Sequence, residues 1–94
     1  MKDRAALISE VQEMIRRLSQ PLASSDIQDG WSEEARSLFL GTFEKLLDRL
    51  SDDTPLTDKE RELNIVRGMD YWGILRGELL NFASKINVGL ETAE

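Results

Sequence analysis

Ninety-four residues with a net charge of −6, 40% hydrophobic content and neither cysteine nor histidine leave a narrow range of possibilities. A chain of this length makes a single helical domain, residues 1–94, that hides only ~60–65% of its unfolded surface, and it has no disulfide, no thiolate nucleophile and no imidazole to bind a metal or shuttle protons near neutral pH. Its acidic balance disfavours direct binding to nucleic acid or to an anionic membrane surface; the apolar run at the N-terminus is too short for a signal peptide and no uncharged stretch approaches a membrane span, so a cytoplasmic setting is expected.

The first helix is expected from about Asp3 to Gln20. Ile8, Val11, Ile15 and Leu18 recur at heptad spacing, with Leu7 and Met14 on the flank. Pro21 ends it, because the residue before a proline is pushed out of the helical region. Residues 22–30 are rich in turn formers and read as a loop with room for one short helical turn near Asp26, its Leu22 and Ile27 tucked against the bundle.

Ser32 is the expected N-cap of the second helix, with Glu33 and Glu34 placed at the positive end of the helix dipole. Ala35, Leu38, Phe39, Phe43, Leu46, Leu47 and Leu50 give it a broad apolar face, and Leu40 with Leu47 widens that face beyond what one neighbour would cover. Trp31, just before this helix, is either a hydrophobic staple or a partly exposed interface anchor. The charge is concentrated here: residues 25–62 carry eleven acidic and five basic side chains, a surface suited to a basic protein partner or to solubility alone.

The third helix has the clearest start, since Thr57-Asp58-Lys59-Glu60 fits the capping box. A stripe of Ile65, Gly68, Trp72, Leu75, Leu79, Phe82 and Ile86 then alternates spacings of three and four, which predicts one long helix to about Val88, ~45 Å at the standard rise. The first two helices are too short to cover such a rod. Either it breaks near its glycines or a second subunit covers the overhang. Gly73 and Gly77, with Val66 and Leu80 on the same face, form a groove for another backbone if the helix is continuous and a kink if it is not. Arg67 and Asp70 are spaced to pair across one turn. Tyr71 lies off the stripe and is expected to be exposed.

No chemical signature survives inspection. Asp26–Gly30 begins like a calcium loop, but Arg36 stands where the bidentate glutamate belongs. Glu10 and Glu13 lie three apart, as in all-helical magnesium-dependent nucleotide pyrophosphatases, yet the nearest second pair, Glu44 and Asp48, has the wrong spacing and shares its face with Lys45 and Arg49. No cofactor, metal or catalytic residue is therefore assigned, and a metal-dependent hydrolase is the weakest of the functional alternatives.

The segment Arg67-Gly68-Met69-Asp70-Tyr71-Trp72-Gly73-Ile74-Leu75-Arg76-Gly77-Glu78-Leu79-Leu80-Asn81 resembles helices of small phage-encoded accessory proteins, which often carry an Arg-Gly step followed by Leu-Leu-Asn. That resemblance implies a structural or accessory component of a larger assembly such as a phage particle, without roles for single residues. The expectation from the residues themselves is an all-α antiparallel bundle of three main helices with a long C-terminal helix. It would act as a non-catalytic protein–protein interaction module, an adaptor, inhibitor, immunity-type protein or chaperone. Self-association would run through the long helix, with Trp31, Leu40, Leu47, Val66, Tyr71, Gly73, Gly77 and Leu80 as interface residues.

Overall fold

The computed structural model describes residues 4–52 and 54–93, so the expected first residue of helix 1, Asp3, and Asp53 of the acidic loop lie outside the described residues. Six helices follow one another: α1 (Arg4–Leu18), α2 (Ser24–Gln28), α3 (Glu33–Ser51), α4 (Asp58–Arg61), α5 (Ile65–Tyr71) and α6 (Glu78–Thr92). No strand occurs among the described residues. The helical bundle is formed by α1 against α3 and α6, while α4 and α5 pack on α6.

Apolar periodicity sets the core but not always in the expected phase. Leu7, Val11, Met14 and Leu18 are the buried stripe of α1, and Ile8 with Ile15 flanks it half-buried. Spacings of four, three and four in the buried set and of three, four and three in the expected one fit a helical face equally well, so the sequence alone leaves the phase of a short stripe open by one residue. In α3 the stripe is Ala35, Phe39, Phe43, Leu46 and Leu50; Leu38 is exposed. Ile27 does not tuck inward as expected: its side chain is 60% exposed on the outer side of α2.

Two arginines lock α1 and α3 antiparallel. Arg4, in the first turn of α1, donates from Nε to the Leu50 carbonyl at 2.9 Å and from its terminal nitrogens to the carbonyls of Arg49 (3.3 Å), Asp52 (2.6 Å) and Thr54 (2.8 Å). Arg36, in the first turn of α3, donates to the Leu18 carbonyl at 2.7 Å. Each helix thus carries the cation that satisfies the other's C-terminal carbonyls, where the dipole is negative. Arg17 lies 4.8 Å over the Phe82 ring and ties α1 to α6 in the same layer.

The capping box at Thr57 forms as expected, with Glu60 N donating to Thr57 Oγ1 at 3.1 Å and Thr57 N donating to Glu60 Oε1 at 2.9 Å. Arg49 adds two donors to the same carboxylate, at 2.5 and 2.9 Å, which binds the start of α4 to the end of α3. The Arg49 guanidinium, helped by the Thr57 amide, holds the Glu60 carboxyl at about 2 against its ordinary 4.5. Arg16, with Arg17, does the same for Glu13. Both folded-state values are depressed, so the unfolded chain takes up these protons first. The stability they supply is present above about pH 4.5 and is lost as the pH falls toward 2. Thermal melts across that window are expected to show a falling midpoint, with a shallower fall in Glu60→Gln.

The long C-terminal helix does not exist as one rod. Residues 58–92 form three helices, interrupted at Leu63-Asn64 and again between Trp72 and Gly77. Gly73 and Gly77 have φ of +85° and +107°, outside what an α-helix uses and where residues with a Cβ are strained. The α5 end is a Schellman motif: Gly73 N donates to the Asp70 carbonyl and Ile74 N to the Met69 carbonyl, both at 2.9 Å. At the end of α2 the motif repeats, Gly30 N bonding Ile27 O and Trp31 N bonding Asp26 O, both at 3.1 Å. Ile74 and Trp31, the apolar residues that follow the two glycines, are both buried.

This break removes the coverage problem. At ~1.5 Å per residue, α1 and α6 are each ~22 Å and α3 ~28 Å, lengths that match one another. No overhang requires a second subunit.

Candidate functional site

The break folds α5 back on α6 and creates the corner in which the expected interface residues can be tested. Its hinge pin is Asn87, a side chain to which spacing and composition assign no role, only 6% exposed. Its Oδ1 accepts from Ile65 N at 2.6 Å and Val66 N at 3.3 Å, while its Nδ2 donates to the Leu63 carbonyl at 2.9 Å. Asn64 Oδ1 accepts from Arg67 N at 2.9 Å. The first three amides of α5, which have no partner inside the helix, are thereby satisfied. Of the two asparagines in α6, Asn81 is exposed and Asn87 buried, and the sequence signal for Asn87 is its place on the apolar face one step after Ile86.

On the far side of α5, Val66 and Leu80 line a cleft of about 420 Å³ together with Asn64, Arg67, Asp70, Ile74 and Leu75. Two expected interface residues from either side of the break therefore meet in one concavity. Leu75, an expected stripe residue, is 66% exposed at its edge, and Tyr71, one step past Asp70 on α5, is 88% exposed. Arg67 and Asp70 do not pair with each other as the spacing suggested, since the described residues include no ion pair for either within 4 Å. Both stand free at the rim of an apolar surface.

The remaining expected residues lie elsewhere. Trp31 is not an exposed anchor: it is 3% exposed and meets Phe39, one turn beyond the first of α3, edge to face, ring centroids 5.9 Å apart, within its own core. Leu40 and Leu47 are half-buried against the core on α3. Gly73 and Gly77 do not share a helical face. Gly73 has open space where a Cβ would stand, and the Cβ position of Gly77 is filled by the Asp29 side chain. No other backbone approaches the face of either glycine; the close backbone approach in this region is at Gly30, which stacks on the Gly73 carbonyl. Arg76 secures that junction, with Nε 3.4 Å from Asp29 Oδ1 and a terminal nitrogen donating to the Gln28 carbonyl at 3.2 Å.

Among the described residues no group of three or more acidic side chains is placed to hold a metal ion. Glu13 is engaged by Arg16 at 2.6 Å and Arg17 at 3.3 Å. No described helix is long and apolar enough to cross a membrane.

What these features define is an all-helical bundle with an exposed aromatic and aliphatic corner. No protein-family model, curated protein or solved structure matches the chain. The fifteen residues that resemble phage accessory helices, 67–81, are here the end of α5, the glycine turn and the start of α6 rather than one helix.

Proposed function

We propose that the protein is a non-catalytic interaction module that self-associates through the α5–α6 corner. The observation that carries this reading is the exposure of Tyr71 and Leu75 beside a cleft lined by Val66 and Leu80, with an unpaired cation and an unpaired anion on its rim. Isolated exposed leucines are ordinary, whereas apolar residues gathered with an aromatic anchor are typical of binding surfaces. The opposite charges fit a second copy in particular. In a two-fold dimer the same patch faces itself, so Arg67 of each subunit can meet Asp70 of the other. The exposed acidic side chains of the middle segment, Asp58 and Glu62 among them, suit a basic protein as any further partner.

The test is sedimentation equilibrium with charge exchange. Wild type is expected to dimerise in a concentration-dependent way. Arg67→Asp or Asp70→Arg alone turns two attractions into two repulsions and is expected to weaken the dimer by about tenfold, while the double exchange restores it. A wild type that stays monomeric at millimolar concentration, or single variants that dimerise unchanged, overturns the proposal.

A further inference from the structure

A second concavity lies on another part of the molecule, between α3, α4 and the end of α6. It has a volume of about 430 Å³ and is lined by Leu46, Leu56, Leu63 and Leu90, with Thr42, Lys45, Arg49, Lys59 and Glu60 around them. That size lies within the roughly 300–1,000 Å³ of small-ligand sites, which are typically apolar with a few polar groups that fix orientation.

Its charge runs against that of its surroundings. Residues 25–62 sum to −6, yet the lining, three cations and one anion, sums to +2. The single anion is already neutralised, since Glu60 accepts from Arg49 at 2.5 and 2.9 Å. Lys45 and Lys59 are both exposed, and neither has an ion-pair partner among the described residues. The cleft therefore combines the buried Leu46, Leu56 and Leu90 and the part-exposed Leu63 with two ammonium groups that have no ion-pair partner among the described residues.

We propose that this cleft binds a single-chain anionic amphiphile of the medium-chain fatty-acid class, the alkyl chain against the four leucines and the carboxylate between Lys45 and Lys59. A monomeric amphiphile is favoured over a lipid surface because the whole chain is acidic, so an anionic bilayer is repelled where one carboxylate is not. The volume is that of a small molecule and the charge complementarity is local.

The full chain, titrated with sodium decanoate below its micellar concentration and followed by methyl and amide NMR, tests this. Shifts are expected at Leu46, Leu56, Leu63 and Leu90. Octanoate should bind about tenfold more weakly, because two fewer methylenes leave water. Decanol, which has the chain without the charge, should also bind at least about tenfold more weakly than decanoate. The exposed double substitution K45E/K59E should abolish the preference for decanoate while leaving the melting temperature and decanol binding unchanged. Equal binding of decanoate and decanol, shifts dispersed over the surface, or a K45E/K59E variant that binds decanoate as wild type does would overturn the proposal. So would shifts at the cleft that grow with protein concentration in the absence of decanoate, which assign it to a second copy, or cleft shifts with an acidic amphipathic peptide but none with decanoate.

Discussion

Gly30→Ala is expected to destabilise the protein by about 3 kcal/mol, through a positive φ and a blocked Cβ position acting together. At φ +109° Gly30 is the left-handed residue of the α2 Schellman motif. An added Cβ would overlap the Gly73 carbonyl, which is backbone and cannot rotate aside. For a domain of this size that loss corresponds to a fall of about 15 °C in melting temperature, a large part of the ~5–14 kcal/mol a chain of this length possesses. Gly73→Ala separates the two causes, since Gly73 has a φ of +85° but open space around it, and it should cost only about 1–2 kcal/mol. Gly41, inside α3 with nothing near its Cβ position, provides the opposite sign: Gly41→Ala should stabilise by up to about 1 kcal/mol. Urea unfolding of the three variants checks the order. Equal losses for Gly30 and Gly73 would show that the two glycine turns do not stack as described.

The same pair of turns explains why helical periodicity overstates the third helix while local signals place the first two closely. Pro21, Ser32 and the Thr57–Glu60 box are local signals, each acting within three or four residues, and each terminus they mark is present. The break at Gly73 is local too, but its signature is a glycine followed by an apolar residue, Gly73-Ile74, and this conflicts with a helical stripe whose spacing continues unbroken through it. The stripe survives because both halves pack on the same core. Of the stripe's residues Ile65, Leu79 and Ile86 are buried and Trp72 and Phe82 half-buried, whereas Leu75, in the middle, is exposed, and Met69 and Ile74, off the stripe, are buried in its stead. Periodicity reports which residues face a core, not whether one helix delivers them. The overhang inferred from a ~45 Å rod falls with the rod, and the case for self-association moves to Tyr71, Leu75, Arg67 and Asp70. That Val66 and Leu80 belong to one apolar face was legible from their spacing, and both line the same cleft. Their meeting across a turn was not, because it depends on Asn87 and on the contact between Gly30 and Gly73, which join residues more than twenty positions apart.

Asn87→Ala is expected to cost a further distinct amount, about 3 kcal/mol, and to act on one part of the molecule first. Removing the carboxamide leaves the buried Ile65 amide and the partly buried Val66 amide and Leu63 carbonyl without partners. Each group so orphaned costs about 1–3 kcal/mol, the lower end where water can reach it. Asn64→Ala removes one exposed cap from the same helix and should cost only about 1 kcal/mol. In hydrogen exchange, amides of α5 should lose protection in Asn87→Ala before those of α1 and α3, because the clamps at Arg4 and Arg36 are untouched. Loosening α5 also displaces Val66, Arg67, Asp70 and Tyr71 relative to Leu80, so dimerisation should weaken in the same variant even where it remains folded. If α5 keeps its protection in Asn87→Ala, that side chain does not hold the corner. If α5 opens but dimerisation is unchanged, the corner is not the surface through which copies of this chain meet.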